Sequence, residues 1–369
     1  MINNKKLTLP GFSRGMVTTS ALVAAMTLST AATANTLSVL GKGADISSMC
    51  GTKPMTVGLA DGFGGNTWRR IAWEELKDEL SHCSNVTKVM YTNANGDRQK
   101  GNADINSLVA QGVDILIVFP DFGAAQLPAL RKATKAGVVV VPYNARLDGK
   151  SGKDYTANLY LDSASISAAW ADWYGENLKS GKLIFIGGSA GNAISQNLLD
   201  GFKAGLQKYP DLKLLEDNFI AGNWNPVDAQ KAVSGLIAKY PDIDGIVTDY
   251  GVTAYAVIKA YDQAGLPVPA LSTLSSNNQL NCAYMDRQET ADSFPYFSLD
   301  GTTTLVRFAI RRGVAAYQGT ENDETEGVMA FLNADSTTGL EPKCDKQAPV
   351  DADLSSILAY EKLQEIFNK

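Results

Sequence analysis

The chain has 369 residues, 45% hydrophobic and 20% charged, a composition that excludes collagen-like, low-complexity and largely disordered chains and suits two domains. Its formal charge of −6 becomes −9 without the first 34 residues, which hold Lys5, Lys6 and Arg14 and no acid. An acidic body argues against nucleic-acid or anionic-membrane partners, which need clustered Lys and Arg, and the single histidine, His82, excludes His-rich metal sites.

The N-terminus carries a secretory signal pattern. Lys5, Lys6 and Arg14 form its basic region, residues 16–28 are small and mostly apolar, and Ala32-Thr33-Ala34 supplies a small-x-small cleavage pattern. The apolar run is too short for a bilayer, no later stretch approaches about 20 apolar residues, and no cysteine follows it directly to take a lipid. The mature chain is expected to begin near Asn35, without stable membrane insertion, in a bacterial periplasm.

Beyond this leader one unit recurs: an amphipathic segment, a glycine, then a short β-branched run. Residues 105–110 lead through Gly112 to 113–119, 127–136 through Gly137 to 138–141, 170–179 through Gly181 to 183–186, and 229–240 through Gly245 to 246–248. Each glycine is expected to supply the left-handed residue that ends a helix, and each apolar run suits a strand covered on both faces. The alternation predicts parallel, doubly wound sheets. The clearest helix starts at Asn225, a good N-cap, with Pro226 in its first turn and Ala229, Val233, Leu236 and Tyr240 on one face. The polar run 147–154 interrupts the repeat and divides the chain into two α/β lobes of similar size. A last helix is predicted over 351–369, with Leu354, Ile357, Leu358 and Leu363 as its apolar positions.

Four cysteines in an exported chain suggest two bridges, with three pairings open. Cys50 and Cys83 each precede a candidate strand, at 55–60 and 86–91, so they sit at the same sheet edge. That makes Cys50–Cys83 cheap and leaves Cys282 with Cys344; buried free thiols are the alternative.

Gly187-Gly188-Ser189-Ala190-Gly191 fits the G-x-S-x-G nucleophile turn after a strand. A nucleophilic Ser189 needs a downstream histidine base, however, and His82 lies upstream. A glycine-rich turn opening a helix is the plainer reading. Gly62-Phe63-Gly64-Gly65 lacks the third glycine of the dinucleotide fingerprint, and no phosphate-loop motif occurs. No catalytic residue, metal site or cofactor is expected.

In open parallel sheets, ligands lie outside the C-terminal strand edge. Reading past each predicted strand collects residues 61–68, Phe119-Pro120-Asp121, 143–146, 187–196, Asn223-Trp224, Asp249-Tyr250, 275–277 and 294–296. Aromatics, amides, carboxylates and arginine together suit a sugar, whose hydroxyls pair with Asp, Asn and Arg and whose C–H faces rest on rings. The plainer alternative is solvated loops, with Trp68 and Trp224 merely packed.

With these residues in view, the mature chain resembles the periplasmic sugar-binding proteins of the ribose-binding type, type I periplasmic binding proteins that serve ABC importers. Residues 57–61 followed by Asn66-Thr67-Trp68-Arg69 resemble the family's first strand and its ligand contacts. Pro120-Asp121 resembles the end of the third strand, residues 136–144 the fourth strand with Asn144 at the usual Asp, and residues 191–196 the second-lobe loop. Trp224 falls at the second stacking aromatic and Asp249 at the next polar contact. Arg69, Phe119 and Leu198 depart from the pattern, where the family has a second aromatic, a polar residue and an arginine.

The resemblance implies an α/β fold of two similar doubly wound parallel-sheet lobes joined by a three-strand hinge. The signal peptide would be 1–34, lobe 1 residues 35–157 and 297–330, and lobe 2 residues 158–296 and 331–369, with hinges near 158–162, 295–299 and 331–334. It implies a monomeric solute-binding protein, not an enzyme, that captures a neutral monosaccharide or sugar alcohol, a pentose or polyol before a hexose. Asn66, Trp68, Arg69, Asp121, Asn144, Gln196, Trp224, Asp249, Asn277 and Tyr296 would hold the ligand, and an ABC transporter permease would receive it. The alternatives are an exported hydrolase using Ser189 and a periplasmic sugar sensor feeding a chemoreceptor.

Overall fold

The computed structural model describes residues 38–367; the signal pattern and its cleavage site lie outside them. The first lobe runs β1 (Ser38–Val39), β2 (Met55–Asp61), α1 (Thr67–Leu80), β3 (Val86–Asn93), α2 (Arg98–Ala110), β4 (Ile115–Val118), α3 (Leu127–Lys135), β5 (Val139–Asn144) and β6 (Leu159–Leu161). The second runs α4 (Ser163–Asn177), β7 (Gly181–Gly187), α5 (Ala193–Leu206), β8 (Leu212–Leu214), β9 (Ile220–Ala221), α6 (Pro226–Lys239), β10 (Gly245–Thr248), α7 (Gly251–Ala264), β11 (Ala270–Leu274), α8 (Asn278–Met285) and β12 (Tyr296–Asp300). The chain returns to the first lobe for α9 (Leu305–Gln318) and β13 (Gly327–Met329), crosses to β14 (Phe331–Asp335), and closes with α10 (Tyr360–Phe367).

Each lobe is a seven-stranded sheet. The first has the order β1-β13-β6-β5-β4-β2-β3 and is parallel throughout. The second has the order β14-β12-β11-β10-β7-β8, with β9 also on β7, and is parallel except for the β12–β14 pair. Strands such as β4 and β11 are buried at every position, which is why they read as unbroken apolar runs rather than alternating ones. These are the two doubly wound lobes the sequence pattern predicts.

The chain passes between the sheets three times: after Leu161, between Asp300 and Leu305, and at Ala330. Residues 297–299 pair with β11 and Asp300 with β14, so all four lie in the second sheet, not in lobe 1 as expected, which moves the middle crossing beyond 295–299. The expected helix over 351–369 is also shortened. Only Tyr360–Phe367 is helical within the described residues. Before it, Asp353 accepts from the Ser355 N–H at 2.8 Å and Ser356 Oγ from the Leu358 N–H at 3.2 Å, local bonds that compete with helix. The end of the chain rests on the first lobe, not the second: Leu358, Leu363 and Ile366 pack on Ile71 of α1.

The α6 helix forms as its sequence dictates, with Asn225 Oδ1 accepting from the N–H groups of Val227 and Asp228 at 2.9 and 3.2 Å. Gly112 and Gly137 take left-handed φ values of 81° and 88° after their helices. Gly245 does not; it is needed for space, since a Cβ there would lie 2.5 Å from the Tyr174 ring. All four cysteines are paired, Cys50 with Cys83 and Cys282 with Cys344, at Cα separations of 5.3 and 4.9 Å. Among the described residues no helix is long and apolar enough to cross a membrane.

Candidate functional site

At the C-terminal edge of the first sheet, β2 ends on Asp61 and a glycine-rich turn delivers Asn66 to cap α1. Its Oδ1 accepts from the Arg69 N–H at 2.9 Å, which sets Trp68 and Arg69 in the first turn of the helix. Arg69 is 6% exposed and lies between two carboxylates, donating to Asp61 Oδ1 and Asp121 Oδ1, both at 2.8 Å. Its guanidinium carbon is 3.4 Å from the centre of the Phe119 ring. Burial works against the charge, but Asp121 and Asp61 outweigh it and hold Arg69 protonated. Burial likewise pushes the Asp121 carboxyl up to about 6, against the pull of Arg69.

Asn144 closes β5 with φ of 78°, and its buried Oδ1 has no partner. Trp68 donates its indole N–H to Thr302 Oγ1 at 2.9 Å, and Thr302 meets Ser275 Oγ at 2.5 Å. One hydroxyl at the middle crossing thus touches residues of both lobes.

On the second lobe the G-x-S-x-G segment is the turn after β7. Asn192 caps α5, accepting from the N–H groups of Ile194 and Ser195. Ser195, not Ser189, is the hydroxyl turned inward: it accepts from the Gly188 N–H at 2.9 Å and donates to Asp249 Oδ2 at 2.5 Å. Trp224 donates to Asp249 Oδ1 at 3.0 Å. Burial raises Asp249 to about 6, with Ser195 and Trp224 pulling the other way. Trp224 has φ of 50°, a conformation that costs a bulky residue about 1 kcal/mol or more and survives only where its surroundings fix it.

The cavity between the sheets is lined by Asn66, Trp68, Arg69, Phe119 and Asn144 of the first lobe and Ile194, Trp224, Asp249, Tyr250, Leu274 and Ser275 of the second, with Leu161 and Thr302 at the crossings. Six of the ten residues expected in the site are in this wall. Asp121 is not; it holds Arg69 in place. Gln196 instead pairs with Asp200 at 2.8 Å on an exposed helix face, because Ile194 and Ser195 take the inward positions of that turn. Asn277 is 3% exposed and caps α8, accepting from the Leu280 N–H at 2.9 Å. Tyr296 begins β12, where Pro295 leads into a strand rather than out of one. Fully buried beside Tyr284 at 4.7 Å between ring centres, it belongs to the core at the opposite strand edge.

Leu161, Leu274 and Thr302 were not expected, and Ile194 only as part of the run 187–196. Leu161 and Thr302 sit at crossings, and reading the ends of predicted strands passes over them. The apolar pair Ile194 and Leu274 reads as core in any sequence. Among the described residues no group of three His, Cys, Asp or Glu side chains is placed to hold a metal. Ser195 and Asp249 have no imidazole between them, and His82 is exposed beyond the far end of α1.

Residues 57–289 match a family model described as a periplasmic binding protein domain. The chain is 26% identical over 200 residues to a xylitol-binding protein of Mycolicibacterium smegmatis, covering 53% of this chain and 56% of that protein. It is 25% identical over 183 residues to the D-xylose-binding periplasmic protein of Escherichia coli, covering 48% and 54%. The chain thus spans a little over half the length of these curated relatives. Among solved structures, the fructose-binding periplasmic domain of a hybrid two-component system superposes with a TM-score of 0.67 at 18% identity, over 77% of this chain and 91% of that one. An ABC transporter solute-binding protein from Mycobacterium smegmatis with bound glycerol superposes with a TM-score of 0.66 at 18% identity, over 81% and 99%. With 57–289 matched and two parallel-sheet lobes meeting at a shared cleft, the chain belongs to the periplasmic binding protein domain family, in the type I fold.

Proposed function

We propose that this protein captures an uncharged monosaccharide or sugar alcohol, a pentose or linear polyol before a hexose, in the cleft between its lobes. It is exported by its N-terminal signal, works in the periplasm as a monomer, and delivers the ligand to an ABC permease. The observation that carries the reading is the state of Arg69. Its guanidinium is already bound by Asp61 and Asp121, and Asp249 has both oxygens occupied, so the cleft has no unpaired cation for a carboxylate or phosphate. What it offers is the free Oδ1 of Asn144, the remaining N–H groups of Arg69, and the rings of Trp68 and Trp224. That set suits hydroxyls and C–H faces. The xylitol- and xylose-binding relatives support the same class.

A thermal-shift screen of pentoses, hexoses and polyols against amino acids and sugar phosphates tests this, because a ligand of the folded state raises the melting midpoint. Neutral compounds should stabilise; stabilisation by charged compounds alone overturns the reading. A second reading, a sugar sensor, draws on the similarity to the fructose-binding periplasmic domain of a hybrid two-component system. Stimulation of a reconstituted permease by the liganded protein separates the two.

A further inference from the structure

After β14 the chain does not end where its lobe ends. It is first fastened to the second lobe. The Cys282–Cys344 bridge ties it to α8, Asn281 Nδ2 donates to the Lys343 carbonyl at 3.0 Å, and Asn278 Nδ2 donates to the carbonyls of Asp345 and Ala348 at 2.7 and 3.0 Å. The backbone N–H of Asn278 then donates to the Ala352 carbonyl at 2.8 Å. Next the chain meets the middle crossing itself, where Ser355 Oγ donates to Asp300 Oδ1 and accepts from the Gly301 N–H, both at 3.0 Å.

Immediately afterwards it is fastened to the first lobe. Ser356 Oγ donates to Glu75 Oε1 at 2.6 Å, the Ile357 N–H donates to the same oxygen at 3.3 Å, and Arg70 donates to the Ile366 carbonyl at 2.9 Å. Leu358, Leu363 and Ile366 cover Ile71, and Thr67, beside the site residue Trp68, bonds Asp351. Four residue-to-residue steps lead from Ala352, the last backbone anchor on the second lobe, to Ser356 on the first, a reach of at most about 14 Å fully extended. A wide opening of the cleft must therefore undock one end.

We propose that residues 344–367 form a strap over the middle crossing that holds the lobes closed and biases the free protein toward its binding-competent form. The strap makes these contacts with both lobes only in this arrangement, and that differential contact is what shifts a two-state equilibrium. The consequence for affinity rests on the cleft being the ligand site. The effect on lobe separation does not.

Spin labels at Lys132→Cys on α3 and Lys231→Cys on α6 report that separation in the free protein. Wild type should give one short distance. Ile366→Asp, which places a charge against Ile71, should shift the distribution to longer distances, and saturating xylitol or xylose should restore it while the measured Kd rises about tenfold. Arg70→Ala, a milder change at the same end, should move both readouts the same way and serves if Ile366→Asp does not fold. Free-state distances identical to wild type in the folded variants overturn the strap. Longer distances with no sugar bound uphold it and overturn the ligand reading instead.

Discussion

The Trp224 indole N–H donates to Oδ1 of Asp249 at 3.0 Å, and Ser195 Oγ donates to the other oxygen at 2.5 Å. A buried carboxylate is thus fully engaged before a ligand arrives, and its work is to position a ring. Asparagine at 249 has one accepting atom where two donors converge, and the Trp224 N–H can only donate. Asp249→Asn should turn the ring and weaken ligand binding about tenfold or more. Calorimetric titration reads this directly; an unchanged Kd would leave Asp249 outside the site.

The same carboxylate contributes to a pH dependence of known sign. Burial raises Asp121, Asp249 and Asp300 to about 6, above the ordinary aspartate value of about 4. The folded protein therefore binds more protons than the unfolded chain between about pH 4 and 6, and stability falls as pH rises through that window, reaching its full loss above about 6. Asp154 and Asp345 are held below their usual range by hydrogen bonds and act oppositely, losing stability as pH falls below about 4. Melting temperature against pH should decline from about 4.5 to 6.5, less steeply in Asp249→Asn. A rise across that range contradicts the assignment.

Arg69 should matter to folding as much as to binding. At 6% exposure between buried Asp61 and Asp121, it is not a cleft residue that leaves the fold indifferent when removed. Arg69→Met strands two neighbouring carboxylates and should cost about 3–5 kcal/mol in urea denaturation. Adding Asp121→Asn should recover part of that. A loss under about 1 kcal/mol would mean that the pair is solvated.

The two bridges close segments of 33 and 62 residues in sequence separation, so each should contribute about 4 kcal/mol by loop-closure entropy. Alkylation should find no reactive thiol in the native protein and four after reduction in denaturant. Recovery of thiols before reduction contradicts the pairing.

The parallel lobes were legible because buried strands and capped helices leave unmistakable local marks: Asn225-Pro226 opens α6, and the apolar run over 115–118 becomes β4. Trp68, Trp224 and Asn144 were legible as cleft residues because strand ends face the cleft in such sheets. The misses among the polar loop residues share one cause, since sequence position does not say which way a polar side chain turns. Asn277 and Asn66 are both helix caps, yet Asn66 lines the cleft and Asn277 does not. Gln196 and Ser195 are neighbours on one turn, and only the serine faces inward. The strap was hidden because Leu358 and Leu363 read equally well as one amphipathic helix, and only the tertiary contact with Ile71 decides where they go.

The most direct test of the cleft as the ligand site is a calorimetric titration of Trp224→Ala beside its unliganded melting curve. Stacking a ring on sugar C–H groups removes apolar surface from water at about 25 cal/mol per Å², so truncation should cost roughly a hundredfold in affinity. Trp224 is only partly buried, so the unliganded melting temperature should hardly move. An unchanged affinity with a destabilised fold would place Trp224 in the core and contradict the assignment of the cleft.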